Sequence, residues 1–194
     1  YLIKKRDDNN VDVKIICYES DHPEYDNLVL NYNKKPNSPR MITNICNHEP
    51  RTIIIVNNII DLSKEGRKIL VLSDRREHLK NIKELLDKKE QCSSGYYLGG
   101  MKEEELNKTE EQDVILGTFS MASEGFDCKY PLDSIILTSP KSNIEQAVGR
   151  ILRQEVKDRK YTPLVIDMSD SFCSMFTSQG KKRIKFYEKN KYNI

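Results

Sequence analysis

Gln146, Gly149, Arg150 and Arg153 stand at i, i+3, i+4 and i+7 in the run Gln146-Ala-Val-Gly149-Arg150-Ile-Leu-Arg153. A helix through them carries all four on one face. Two guanidiniums one turn apart can clamp a phosphoryl group from two sides, each through a planar fork of donors that the point charge of lysine does not offer. A transferred γ-phosphate needs such a clamp, and Gly149 admits close approach by a ligand or a facing domain. Taken alone, an arginine pair at this spacing is more often a solvated helix face, so a second feature must decide.

That feature is Thr118-Phe-Ser120-Met-Ala-Ser-Glu-Gly125-Phe-Asp127, which follows the apolar run Val114–Gly117. A loop leaving the carboxyl end of a parallel strand is where α/β sheets bind ligands. Thr118 and Ser120 supply hydroxyls for phosphate oxygens, Gly125 exposes backbone, and Asp127 can accept from a ribose hydroxyl. By itself the segment reads equally as a strand-to-helix loop with a capping Ser or Thr.

The elements that must position these residues follow from the apolar pattern. Ile69–Ser73, Tyr96–Leu98, Val114–Gly117, Ser134–Leu137 and Leu164–Asp167 are brief apolar runs, as buried strands should be. Amphipathic, charge-rich stretches between them predict helices near Arg75–Glu90, Lys102–Thr109 and Asn143–Gln154. The alternation predicts an α/β fold around a parallel sheet with helices on both faces. Upstream, Leu2–Lys5 and Val13–Tyr18 read as the arms of a hairpin, and Asp21–Pro39 as a long loop with a short strand at Leu28–Tyr32. Arg51–Lys64 continues one apolar face at helical period up to Gly66 and reads as a helix. The expected organisation is a hairpin and loop extension over 1–50, a core over 51–170 and a basic tail helix over 171–194. In the tail, Lys181, Lys182, Arg183, Lys185, Lys189 and Lys191 face Glu188 alone. Beside Phe186, Tyr187 and Tyr192 they fit either a helix docked on the domain, the favoured reading, or a nucleic-acid contact.

Composition bounds the rest. The chain has 194 residues, 37% hydrophobic and 32% charged, enough for one core. Its net charge of +2 does not by itself indicate a nucleic-acid partner. Cys17, Cys46, Cys92, Cys128 and Cys173 lie far apart with no C-x-x-C pair, which fits reduced thiols in an intracellular protein and argues against disulfides and zinc. No apolar run spans a bilayer and the start lacks a signal-peptide pattern, so the expectation is a chain away from membranes, in a cytoplasm or, if viral, a virion. His22, His48 and His78 are too dispersed for a site and read as surface residues.

Together, Thr118…Gly125-Phe-Asp127 and Gln146-x-x-Gly-Arg-x-x-Arg153 resemble motifs V and VI of superfamily 2 helicases, in the right order and separation. Ile69-Leu-Val-Leu-Ser73-Asp-Arg75-Arg76 resembles motif IV, and Tyr97-Leu-Gly99-Gly100-Met the glycine turn after the next strand. The resemblance covers roughly Arg51–Asp167 and implies the second RecA-like motor domain. The wording Ser-Asp-Arg-Arg-Glu-His, Tyr-Leu-Gly-Gly-Met, Ser-Glu-Gly-Phe-Asp and Val-Gly-Arg-Ile-Leu-Arg is similar to helicases of poxviruses and other large nucleocytoplasmic DNA viruses. The resemblance implies that Arg150 and Arg153 sense the γ-phosphate beside Gln146, that Gly125, Asp127 and Gly149 face the nucleotide, and that Ser73, Arg75, Gly99, Gly100, Thr118 and Ser120 face a DNA or RNA backbone. A non-motor RecA-like binding module is the alternative, disfavoured because a passive module has no use for an arginine clamp. A Rossmann-like enzyme is disfavoured because no G-x-G-x-x-G follows a strand.

An ATPase of this class also needs a phosphate cradle and a carboxylate holding Mg²⁺. Gly95-Tyr-Tyr-Leu-Gly-Gly100-Met-Lys102-Glu103 misses G-x-x-x-x-G-K-[ST], with its lysine one residue late and Glu in place of the metal-binding hydroxyl. Leu164-Val-Ile-Asp167 imitates a strand ending in the magnesium aspartate, but no Asp-Glu box occurs, and such an Asp is more often a strand-end turn residue. ATP and Mg²⁺ are therefore expected on a first RecA-like domain preceding Tyr1, the partner of this one. The chain by itself should not hydrolyse ATP, with or without nucleic acid; turnover that copurifies with it and disappears in an Arg150→Ala variant would overturn that.

Overall fold

The computed structural model describes residues 10–123 and 126–194. Among these residues six strands, β1 (Asp12–Tyr18), β2 (Ile69–Ser73), β3 (Ser94–Tyr97), β4 (Val114–Thr118), β5 (Ser134–Leu137) and β6 (Leu164–Asp170), form one parallel sheet in the order β1-β6-β5-β2-β4-β3. Every residue of β2 and β5 is buried, which is why these runs are continuously apolar and do not alternate. Among the described residues seven helices, α1 (Ser38–Asn47), α2 (Glu49–Lys64), α3 (Arg76–Lys89), α4 (Glu103–Glu110), α5 (Phe119–Ser123), α6 (Glu145–Val148) and α7 (Ser174–Lys189), cover it. Ile55, Ile59, Leu79 and Ile82 of α2 and α3 pack on one face against Val71, Leu116 and Ile166. On the other face, Phe119, Ala147, Val148 and Tyr187 of α5, α6 and α7 pack against Leu70, Ile115 and Val165. The doubly covered parallel sheet expected from the pattern is the observed one.

The amino-terminal segment differs from expectation. Val13–Tyr18 does form a strand, but β1 runs parallel to β6 from Asp12 beside Leu164 to Tyr18 beside Asp170, as the outer strand of the main sheet. The other expected hairpin arm, Leu2–Lys5, lies outside the described residues. Leu28–Tyr32 is not a strand: a single bridge joins Leu30 to Pro36 around a turn in which the Asn31 side chain accepts from the Asn33 and Lys35 amides. Helix α1 was not expected. Asn37 caps it by accepting from the Arg40 amide at 3.3 Å, Pro39 sits in its first turn, and Met41, Ile42, Ile45 and Cys46 are its buried face.

Strand β6 carries two buried aspartates three residues apart, which therefore point to opposite faces. Asp170 receives Arg51 of α2 through two bonds of 2.8 Å, with both side chains at 0% exposure. The third donor of Arg51 reaches the Thr138 carbonyl at 2.8 Å, and the Tyr25 hydroxyl donates to Asp170 at 2.9 Å. Burial opposes the charged guanidinium, and Asp170 more than offsets it, holding Arg51 above its ordinary range. On the other face, Asp167 receives Arg183 of α7 at 2.8 Å and the Tyr187 hydroxyl at 2.9 Å. Asp167 thus sits inside the strand as an ion-pair partner, and is neither a strand-end turn residue nor open to a metal. Asp170→Ala leaves the Arg51 charge buried without a counterion and should lower the stability to urea by about 3–5 kcal/mol. An apolar replacement of both partners, Arg51→Met with Asp170→Leu, should recover most of it. An Asp170→Ala loss under 1 kcal/mol would show that the pair is dispensable.

Candidate functional site

Because all strands are parallel, the loops carrying the expected site residues leave from one edge of the sheet. Beyond β4 and α5, Phe126 is buried at 2% exposure and meets Tyr97 edge-on at 4.6 Å. Its carbonyl is the point on which the arginines converge. Arg150 donates to it at 2.8 Å and Arg153 at 2.9 Å. Arg150 also donates to the Ala122 carbonyl at 2.7 Å, while Arg153 pairs with the Asp127 carboxylate. Gly125 lies outside the described residues.

The expected helix over Asn143–Gln154 is shorter than its pattern. Asn143 accepts from the Glu145 amide, α6 runs only to Val148, and Gly149–Leu152 tightens into a 3₁₀ turn. In that geometry residues three apart eclipse, which stacks Arg153 over Arg150 and lets both reach one carbonyl. Ile144, Val148 and Ile151 anchor the opposite side of the segment in the core. Gln146 and Gly149 are exposed, and a Cβ on Gly149 would meet nothing within 4 Å, so this face is open to an approaching body.

The electrostatics favour an anion here. Asp127 is a carboxylate beside the two guanidiniums, and Arg150 is held below its ordinary range first by burial and then by the charge of Arg153, which Asp127 only partly offsets. Arg153 is 42% and Asp127 87% exposed, so their mutual bond can be exchanged for a ligand's without opening the core. A cleft of about 210 Å³ lies beside the pair, walled by Phe126, Tyr130, Leu132 and both arginines. The donor set thus suits phosphate oxygens. Among the described residues no group of three His, Cys, Asp or Glu side chains is placed to hold a metal ion.

The second set gathers at the carboxyl ends of β2, β4 and β3, where Ser73 lies in register with Thr118. Thr118 and Ser120 hydrogen-bond to each other at 3.0 Å, with Ser120 exposed. Gly99 and Gly100 form the exposed turn after β3; Gly100 adopts φ +89, and the Gly99 carbonyl accepts from Arg76 at 3.1 Å. Two members are not free to act as expected. Ser73 has 0% exposure, accepts from the Arg75 amide at 3.1 Å and shares a hydrogen bond with His78 Nδ1, also at 3.1 Å, so its hydroxyl belongs to the start of α3. Arg75 is half-buried and spends its donors on the Thr43 hydroxyl and the Pro39 and Asp74 carbonyls, fastening α1 to this edge. Sequence reasoning gave no role to Arg76 or to the Phe126 carbonyl; the first ends the stretch that resembles motif IV, whereas a backbone acceptor has no residue-type signal.

Comparison with known proteins gives three findings. The family model described as "Helicase conserved C-terminal domain" matches residues 51–155. Over 200 residues the chain is 38% identical to the "Putative ATP-dependent RNA helicase L396" of Acanthamoeba polyphaga mimivirus, covering 100% of this chain and 38% of that protein. It is 33% identical over 96 residues to the "Putative ATP-dependent RNA helicase QP509L" of an African swine fever virus isolate, covering 50% of this chain and 18% of that one. Among solved structures, T4 UvsW overlays 95% of this chain, 41% of its own, with a TM-score of 0.69 at 21% identity. The C-terminal domain of the DEAD-box protein Dbp5 overlays 76% of this chain and 83% of its own, with a TM-score of 0.55 at 9% identity. The fold is therefore RecA-like, and the chain spans well under half the length of these viral relatives.

Two of the three histidines are buried, against expectation, because His78 closes the first turn of α3 over Ser73 and His48 packs under Tyr18 and Tyr25. Burial, aided by the charge of Arg51, pushes the His78 imidazole down to about 3. Its unfolded value is about 6.5. The unfolded chain therefore binds the extra proton first, and the stability present above pH 6.5 drains away as pH falls toward 3, at about 1.4 kcal/mol per pH unit. His78→Gln should be less stable at neutral pH but should show a flatter acid limb in urea titrations between pH 6.5 and 4. Parallel limbs for the two proteins would place the acid sensitivity elsewhere.

Proposed function

The chain belongs to the helicase conserved C-terminal domain family, and on that premise we propose that it is the second motor domain of an ATP-dependent superfamily 2 helicase. The observation that carries this reading is the convergence of Arg150 and Arg153 on the Phe126 carbonyl, beside Asp127, on a face left open at Gly149. ATP with Mg²⁺, bound mainly by the preceding RecA-like domain, would supply the phosphoryl group and its leaving diphosphate. Phosphoryl transfer leaves a protein little covalent chemistry to perform, so what this chain contributes is charge placed where negative charge develops.

Arg153 would exchange Asp127 for a phosphate oxygen, and Asp127 would then be released to accept from a ribose hydroxyl. Arg150, tied to two carbonyls, would fix the position of the pair. Gln146 and Gly149, exposed on the same segment, would meet the nucleotide-bearing domain. At the ends of β4 and β3, Thr118, Ser120 and the amides around Gly99 and Gly100 would hold a nucleic-acid backbone. Hydroxyls and amides suit phosphates and offer little to base edges, so binding would be largely indifferent to sequence. The names of the viral relatives point to RNA as the polymer. Arg75 would act at this surface mainly by fastening α1 beneath it, and Ser73 by capping α3.

Arg150→Ala or Arg153→Ala in the intact protein should reduce hydrolysis by about 10³ to 10⁵ while leaving ATP binding largely in place, as measured by steady-state turnover and nucleotide titration. Lysine at either position should rescue poorly because the planar fork is lost. Near-normal turnover in both alanine variants would return the pair to a structural role at the Phe126 carbonyl.

A further inference from the structure

Helix α7 lies outside the segment that the family model matches, and the proposed motor chemistry makes no use of its charge. Phe176, Gly180, Arg183 and Tyr187, its buried residues, stand at i, i+4, i+7 and i+11 and form one stripe facing the sheet. Lys181, Lys182, Lys185 and Lys189 are all exposed and fall on the opposite side of the helix. Among the described residues none of these four forms an ion pair with a carboxylate. Elsewhere Lys83, Lys108 and Lys141 are each matched by Asp87, Glu104 and Asp74.

The concentration of charge is unequal along the chain. Its +2 is the balance of +5 over residues 174–194 and −3 over the other 173. Even with Arg183 neutralised by Asp167, this helix and tail keep an excess of positive charge that attracts a polyanion. Lys181, Lys185 and Lys189 succeed one another at i, i+4 and i+8, and like charges at that spacing repel, a strain that bound anions relieve. The three span about 12 Å at 1.5 Å per residue, a length over which one strand of a duplex presents roughly three to four phosphates. The exposed face, made of Ser178, Lys181, Lys182, Lys185, Glu188 and Lys189, holds no apolar side chain, which disfavours a membrane surface, where a helix must bury one.

We propose that α7 has two working faces: Arg183 and Tyr187 dock it on the sheet, while Lys181, Lys182, Lys185 and Lys189 hold the phosphate backbone of nucleic acid, as a contact separate from the ends of β4 and β3. The proposal relies on the helicase reading only for the identity of the polyanion.

The test is the affinity of the chain for a labelled single-stranded oligonucleotide of mixed sequence, followed by anisotropy as salt is raised. In K181Q/K182Q/K185Q/K189Q the slope of log affinity against log salt should flatten by about 2 to 3, at about 0.7 per lost phosphate contact. The thermal midpoint should stay within a few degrees, since all four residues are exposed. K34Q/K35Q/K88Q/K89Q removes the same net charge from exposed lysines elsewhere and should leave the slope nearly unchanged. Equal flattening in both variants would reduce the effect to net charge and overturn the proposal, as would an unchanged slope in the first. Binding to phosphatidylserine vesicles in preference to the oligonucleotide would overturn it in favour of a membrane surface. Thr118→Val reports on the other contact: a lowered affinity there with a silent lysine variant sinks only the α7 stripe, whereas silence in both sinks the polymer-binding reading as well.

Discussion

Strand β6 holds the domain together through two charges that face opposite ways. Asp170 binds Arg51 beneath one face of the sheet and Asp167 binds Arg183 above the other, each pair at 2.8 Å and almost wholly enclosed. Buried ion pairs seldom add net stability over an apolar pair of similar volume, because desolvation consumes most of the attraction. What these two contribute is reach. The remaining donors of Arg51 and Arg183 take the Thr138 and Lys141 carbonyls at 2.8 and 2.7 Å, fixing both ends of the loop that follows β5. That loop leads straight into α6 and the 3₁₀ turn bearing Arg150. The segment bearing Arg150 and Arg153 is thus tied, through the guanidiniums of Arg51 and Arg183, to β6.

The same loop is tied sideways as well. Lys141 pairs with Asp74 at 3.2 Å, and the Asp74 amide donates to Ser139 at 2.9 Å, so the segments after β5 and β2 are tied to each other. Arg75 continues the chain of contacts to α1, and Arg76 to the turn at Gly99. Successive residues Asp74, Arg75 and Arg76 therefore brace three different neighbours at the carboxyl edge. This is why a stretch that resembles a nucleic-acid motif presents so few free donors: most of its polar capacity is used to hold the edge in shape.

How much of this was legible in the sequence depends on the length scale of the signal. Strands β2 and β5 were readable to the residue because full burial leaves an unbroken apolar run with polar residues at its ends. Helix α2 was readable because its apolar face repeats over 16 residues. Helix α1 was overlooked although Asn37, Pro39 and a Met41/Ile45 pair marked its start, since its flanks are rich in proline and polar residues that mimic a loop. The arginine pair was legible by type and spacing, yet its meeting point is a backbone carbonyl 24 residues before Arg150. His78 reads from the sequence as a surface residue and Ser73 as either a backbone-phosphate contact or a helix cap; only the strand-to-helix turn brings them within 3.1 Å and buries both. The extension of β6 to Asp170 was hidden for a related reason, because a charged residue inside a strand is expected at its end unless the arginine that neutralises it is known.

Arg150 and Arg153 share an acceptor but differ in what it takes to redirect them. Arg150 is partly buried and donates to two carbonyls; turning away would strand that of Ala122, whereas that of Phe126 also accepts from Arg153, and an unsatisfied buried acceptor costs about 1–3 kcal/mol. Arg153 makes its second contact with Asp127 at the surface, and exposed pairs of this kind are worth about 0.2–1 kcal/mol. A charge-assisted bond to phosphate, at about 1.5–3 kcal/mol, exceeds the second quantity and only matches the first. On these magnitudes the Asp127 contact of Arg153 costs less to exchange than the Ala122 contact of Arg150. In the proposed clamp, Arg150 would therefore hold the geometry, and the Asp127 contact would be the one that yields to an arriving anion.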